Sequence, residues 1–209
     1  MKVYVLDDVQ KIETGIIEKA LQVMPRARML QAEKLLLSRD RVVNAASFLL
    51  LAYGLKAQGI SINEIELTYG KNKKPYLTNN KWYFNISHSK EAIACGVSKF
   101  ECGVDIEKIR PVSDSLLTRV CSEEEKNAIL ASSNREKAFA QLWAKKEAYI
   151  KFKGGSVLTD LKKIDEKIKE EKVFVHLLHQ EGYGLCACSG KEEFAEKIAV
   201  TKEQISRFE

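Results

Sequence analysis

Residues 103–110 read GVDIEKIR. Val104 and Ile106 alternate with the carboxylates Asp105 and Glu107, the period of two that gives a strand one apolar and one polar face. On such a strand the two carboxylates share a face, about 6.5–7 Å apart at the backbone. Two anions held that close require open solvent, a basic partner or a shared cation. The segment lies at the midpoint of the chain, so its reading governs how the two halves are arranged.

Upstream, KVYVL opens as a strand, and Val9, Ile12, Ile16, Ile17 and Leu21 give helical spacing over residues 9–23. A longer helix is expected over 40–57. EIELTYGKNKKPYL reads as strand, basic loop and short strand, and WYFNI and AIACGVS as two further strands. Between these last two, NISHSK (85–90) is expected to place Ser87, His88 and Ser89 in a polar turn. Downstream comes a mixed region containing Pro111, then a capping-box signature at Ser122 and Glu125. A helix from about Arg135 to Lys153 is stopped by Gly154 and Gly155. Strands follow at VFVHLL, GYGLCAC and IAVT. Each half thus combines strand and helix with a run of strands, which favours α+β over a regular βαβ alternation. Sliding the chain by 96 residues lays Ala52 and Tyr53 over Ala148 and Tyr149, an echo that suits a duplicated unit with its midpoint near GVDIE.

The 209 residues are 45% hydrophobic, ample for a buried core. The first residues lack a long apolar signal segment, and no run reaches the roughly 18 apolar residues of a membrane span, so a soluble cytoplasmic protein without membrane association is expected. Five cysteines form no CxxC pair, which argues against zinc and a disulfide framework and fits a reducing compartment. The net charge of +5 resides in the first half: 15 Lys and Arg against 10 Asp and Glu through residue 104, then 19 against 19. That excess suits an anionic ligand, and equally plain solubility.

The helical stretch WAKKEAYIK (143–151) sets Trp143, Lys146, Glu147, Ile150 and Lys151 three or four residues apart on one stripe, with Phe139 a turn earlier. Taken alone, Glu147 and Lys151 read as an ordinary i,i+4 pair. Together, Asp105, Glu107 and Glu147 are three hard oxygen donors of the kind Mg²⁺ takes alongside substrate phosphates, and neighbouring lysines suit phosphoryl oxygens. There is no GxxxxGK[ST] loop, which excludes a P-loop nucleotide machine. His88 reads as a phosphate donor or a surface histidine; a Ser–His nucleophile pair is a poor reading, because adjacent residues on an extended chain point apart. The loop TYGKNKKPYL offers Lys71, Lys73 and Lys74 near Tyr69 as a clamp for a phosphorylated aromatic base. Beyond Tyr69 and Tyr76 it lacks the interleaved aromatics of a nucleic-acid surface.

The ordered set YGK…KP, NISHS, GVDIE and WAKKEAYIK resembles the 4'-phosphopantetheinyl transferases, specifically the long single-chain Sfp-type branch, over residues 69–153. The resemblance implies a pseudo-dimeric α+β fold of two similar halves with the active site in the cleft between them. It places the adenosine and 3'-phosphate side of coenzyme A on residues 1–104, and the metal, catalysis and carrier docking on 105–209. It also implies a monomer that moves 4'-phosphopantetheine from coenzyme A to a serine of an apo acyl, polyketide or peptidyl carrier protein, releasing 3',5'-ADP. Carried over residue by residue, Asp105, Glu107 and Glu147 match the ligands of Mg²⁺, with Mn²⁺ as the other candidate, and Glu147 also matches the base. Lys151 matches a pyrophosphate-binding lysine and Lys146 the lysine before the glutamate. Ser87 and His88 match the 3'-phosphate and adenosine contacts, and Gly70 with Lys71 or Lys74 the adenine-side loop. That loop departs from the family's tight GKP, since GKNKKP has three extra residues. Arg26 and Arg28, then Arg41 and Asn44, are the nearest counterparts of the N-terminal phosphate-binding residues. The alternative from another class is a non-catalytic coenzyme A or carrier-binding module, which would need the basic clamp but not three carboxylates.

Overall fold

The computed structural model describes residues 1–33, 38–70, 72–78, 82–155 and 160–207. In chain order the elements are β1 (Lys2–Leu6), α1 (Thr14–Val23), α2 (Arg26–Glu33), α3 (Ser38–Lys56), β2 (Leu67–Tyr69), β3 (Pro75–Leu77), β4 (Tyr83–Ser89), β5 (Ala92–Ser98) and β6 (Cys102–Lys108). They continue with α4 (Asp114–Val120), α5 (Glu123–Ala131), α6 (Arg135–Phe152), α7 (Ile164–Glu170), β7 (Phe174–Gln180), β8 (Tyr183–Ser189), β9 (Glu196–Val200) and α8 (Lys202–Ile205). Among the described residues, one sheet has the order β4-β5-β1-β9 and another β6-β8-β7, with β2 and β3 forming a separate hairpin.

The two larger sheets pack face to face between two helices. The wholly buried strands β5 and β8 show why their sequences are apolar on both faces. Ile93, Cys95 and Val97 turn toward α3, whereas Ala92 and Ala94 meet Val104, Ile106, Leu185 and Ala187 of the other sheet. Beyond that sheet, Cys186 and Cys188 pack on Ala144 and Ala148 of α6. Small residues line the tightest contact: a Cβ on Gly103 would collide with the carbonyl oxygen of Ala148 and the amide of Phe152, and one on Gly184 with the carbonyl of Ala140. Helix α6 therefore lies with its backbone almost on the sheet, which brings its polar edge to the end of β6.

The last strand returns to the beginning of the chain, β9 pairing parallel with β1 from Lys2 opposite Glu196 to Leu6 opposite Val200. The midpoint at residues 104 and 105 falls inside β6. All five cysteines are buried and free, and no helix of the described residues is long and apolar enough to cross a membrane.

Two local expectations need correction. Residues 9–23 are not one helix: Val9–Lys11 form a 3-10 turn, Ile12 is extended and α1 begins at Thr14. The segment after Pro25 is helical, as is the stretch after Pro111, where the Ser113 side chain accepts from the Leu116 amide to start α4. NISHS is not a turn but the body of β4, which runs to Ser89 before Lys90 takes a left-handed conformation (φ 57°). The Ser122–Glu125 capping box is present in both directions, at 2.7 and 3.2 Å.

Candidate active site

Strands β4 and β6 are the outer strands of their sheets and face each other across a seam. Phe84 and Ile86 of β4 pack toward α3, which leaves Asn85, Ser87 and Ser89 facing the seam. On β6, Val104 and Ile106 enter the layer between the sheets, so Asp105 turns toward α6. Asp105 is 4% exposed, and burying such a carboxylate is tolerable only with partners. Its Oδ1 accepts from Ser87 Oγ and from Lys151 Nζ, each at 2.6 Å. Lys151 also donates to Ser87 Oγ at 2.7 Å, closing a three-membered cluster whose members come from β4, β6 and α6.

Glu107 is held separately. Arg110 Nη2 lies 3.1 Å from its Oε1, and Ser89 Oγ donates to its Oε2 at 3.3 Å. Burial raises the Glu107 carboxyl above its ordinary range, the Asp105 charge adds to this, and Arg110 and Ser89 work against it. Glu147, half-buried on the edge of α6, is also raised, first by burial, then by the negative charges of Asp105 and Glu107, with Lys151 opposing. The three carboxylates thus feel one another. The pairing of Asp105 and Glu107 with Ser87, Lys151, Ser89 and Arg110 explains how two anions two residues apart coexist on one strand.

They are not a ready-made cage. Among the described residues, no three His, Cys, Asp or Glu side chains converge closely enough to grip a metal ion, so Asp105, Glu107 and Glu147 stand near one another without closing on a common point. The physical reason is that Lys151 draws Asp105 and Arg110 draws Glu107. The donor set still fits a hard divalent cation: the oxygens are carboxylate, and the repulsion that adds to burial in raising Glu107 and Glu147 is what such an ion relieves.

The other expected residues divide. Lys146 does not join the seam: it is 1% exposed, and its ammonium donates to Val120 O, Leu161 O and Glu125 Oε2 at 2.6–2.9 Å. One residue along a helix is a turn of about 100°, so Lys146 faces α4 and α5 while Glu147 faces the cleft. Nor does Lys151 form the i,i+4 pair with Glu147 that spacing allows; its ion pair is with Asp105. Ser87 has its hydrogen-bonding capacity filled within the protein, donating to Asp105 and accepting from Lys151 and the Ile106 amide, so it holds the carboxylate in place rather than offering a free hydroxyl. His88 alternates with Ser87 and is exposed; desolvation, then the Lys151 charge, lowers its pKa.

Gly70 and Lys74 close the β2–β3 hairpin, the Gly70 amide donating to Lys74 O at 2.9 Å. Lys74 reaches back to the seam, where its ammonium donates to Cys102 O and Phe152 O at 3.2 Å and burial lowers its pKa. Lys71 lies outside the described residues. Arg26 is exposed on α2. Arg28 is buried: its Nη2 donates to Asn44 O at 3.3 Å, while its Nε, the Asn44 Oδ1 and the Tyr69 hydroxyl have no hydrogen-bond partner among the described residues. Sequence reasoning missed Arg110, Ser89 and Asn85. The last two left a signal, since polar residues at 85, 87 and 89 repeat with the strand period.

Comparison with known proteins identifies the family. Residues 101–202 match the family model of the 4'-phosphopantetheinyl transferase superfamily. The chain is 31% identical to a 4'-phosphopantetheinyl transferase of Bacillus subtilis, over 70% of each chain. It is 29% identical to the 4'-phosphopantetheinyl transferase Sfp of Bacillus subtilis strain 168, over 63% of this chain and 65% of that one. A third relative, at 29% identity over 70% of this chain and 58% of its own, is the L-aminoadipate-semialdehyde dehydrogenase-phosphopantetheinyl transferase of Saccharomyces cerevisiae. The α+β pseudo-dimeric fold and these matches define a class of transferase. The chain belongs to the 4'-phosphopantetheinyl transferase superfamily, in its Sfp-type branch.

Proposed function

We propose that this enzyme transfers the 4'-phosphopantetheine of coenzyme A to a serine hydroxyl of an apo carrier protein, releasing 3',5'-ADP. The observation that carries the reading is the Asp105–Ser87–Lys151 cluster, flanked by Glu107 and Glu147, at the junction of β4, β6 and α6. A binding module requires cations for its anionic ligand, but not the three carboxylates Asp105, Glu107 and Glu147.

Asp105, Glu107 and Glu147 would hold Mg²⁺, or Mn²⁺ in its place, which when bound neutralises charge on the pyrophosphate. Glu147 accepts the proton of the incoming serine hydroxyl as a positioned general base. The serine oxygen then bonds to the β-phosphorus as the bond to the bridging oxygen breaks, and 3',5'-ADP leaves with that electron pair. Lys151 stabilises the phosphoryl oxygens. The buried Arg28 guanidinium beside Asn44, with exposed Arg26 and His88, forms the 3'-phosphate-binding side of the coenzyme A site, and Gly70 and Lys74 the adenine side. The five buried free thiols support a reducing, cytoplasmic setting, and we take the working unit to be a monomer.

Incubation with coenzyme A, Mg²⁺ and a panel of apo acyl, polyketide and peptidyl carriers, followed by intact-mass measurement, tests the reading. One carrier is expected to gain a single phosphopantetheinyl group. Cleavage of coenzyme A with every carrier unmodified would make water the acceptor and overturn the proposal.

A further inference from the structure

Strand β6 hydrogen-bonds along one edge to β8, which leaves the amides of Val104, Ile106 and Lys108 on its other edge, next to β4. Buried amides must find acceptors. They do not find them in the β4 backbone. Asn85 Oδ1 accepts from Val104 N at 2.9 Å, Ser87 Oγ from Ile106 N at 3.4 Å and Ser89 Oγ from Lys108 N at 3.0 Å. The sequence separation is 19 residues in all three, so the three bonds form a regular parallel ladder in which side chains stand in for one strand's carbonyls.

The two serines do a second thing. Each donates its hydroxyl proton to the carboxylate one residue before the amide it accepts from: Ser87 to Asp105, Ser89 to Glu107, at a separation of 18 in both cases. At the third rung the corresponding residue is Gly103, which has no side chain to receive a proton, and there the acceptor is an amide oxygen. The ladder therefore ties the register of β6 against β4 to the placement of the two strand carboxylates.

We propose that Asn85, Ser87 and Ser89 form a side-chain ladder that joins the two halves in register, and that Ser89 is a positioning residue that aims Glu107 into the seam. A one-residue slip would remove every rung and turn the carboxylates to the opposite face. A main-chain ladder would fix the register equally well, but it would not present hydroxyl protons to Asp105 and Glu107. Only the metal arm of the test below rests on the transferase reading.

The first readout is amide exchange by NMR in the protein free of metal and coenzyme A. Ser89→Ala is expected to speed exchange at Lys108 roughly tenfold, the order of one lost hydrogen bond, with Val104 and Ile106 unchanged. Asn85→Ala is expected to act on Val104 alone, and Ser89→Thr, which keeps the hydroxyl, to restore Lys108. The second readout is Mn²⁺ affinity measured by electron paramagnetic resonance with coenzyme A present. It is expected to weaken about three- to tenfold in Ser89→Ala and recover in Ser89→Thr, while coenzyme A affinity without metal stays at the wild-type value. Unchanged exchange at Lys108, or equal acceleration along all of β6, would overturn the ladder. Unaltered Mn²⁺ affinity in Ser89→Ala would overturn the positioning role. If no carrier is modified by the wild type yet the exchange pattern appears, the transferase reading falls and the ladder stands.

Discussion

Glu147 shows how the site opposes the fold that carries it. Its carboxylate is half-buried, and the charges of Asp105 and Glu107 lie close enough to raise its pKa. A carboxyl raised in the folded state favours folding when protonated and costs stability when ionised. The cost is present above the folded pKa, shrinks as pH falls through it and vanishes below the unfolded value near about 4.3. Glu147→Gln, measured without divalent ions, is therefore expected to raise the Tm at pH 7. The rise should be of a few degrees, the scale on which small stability changes move the Tm of a chain of this length. At pH 4 the gain should largely disappear. Equal Tm values at pH 7, or a gain that grows toward pH 4, would contradict the repulsion. Lys146, its neighbour, has the opposite character: a buried ammonium satisfied by two carbonyls and Glu125 holds helices together and offers nothing to a ligand.

At the scale of elements, what sets the site is how closely α6 approaches the sheet. Gly103 and Gly184 admit the backbone at Ala148, Phe152 and Ala140, and Lys151 can then reach Asp105. Gly103→Ala places a methyl group against backbone that cannot rotate away, so a loss of about 3 kcal/mol or more is expected, the upper end for overpacking. Chemical denaturation would measure it, and a loss below about 1 kcal/mol would refute the close approach. Strands β5, β6 and β8 and helix α6 were legible because period, length and stop signals agree in each; AIACGVS and GVDIE read correctly from alternation and apolarity alone. NISHS did not. Its Ser, His and Ser look like turn residues by composition, and only the free edge of β6, created by tertiary packing, makes their hydroxyls useful in a strand. Arg110 was invisible for a similar reason, because its pairing with Glu107 depends on how the chain leaves β6. The separate fates of Lys146 and Glu147 depend on which side α4 and α5 pack, and helical spacing does not specify that.

For the whole molecule, the seam exists only when both sheets are assembled. Ser87 comes from a sheet that β9 completes at its far end, while Asp105 and Lys151 come from the other sheet and its helix, so chemistry at the seam reports on the assembled protein. The central claim is that these residues transfer a phosphoryl-linked group and do not merely bind coenzyme A. The most direct measurement is single-turnover transfer by Glu147→Gln at saturating coenzyme A, Mg²⁺ and apo carrier, with coenzyme A binding measured in parallel. Loss of a positioned base predicts that coenzyme A still binds while the transfer rate falls by roughly 10²–10⁴; a rate within about threefold of wild type, with the variant folded and coenzyme A bound, would contradict the account.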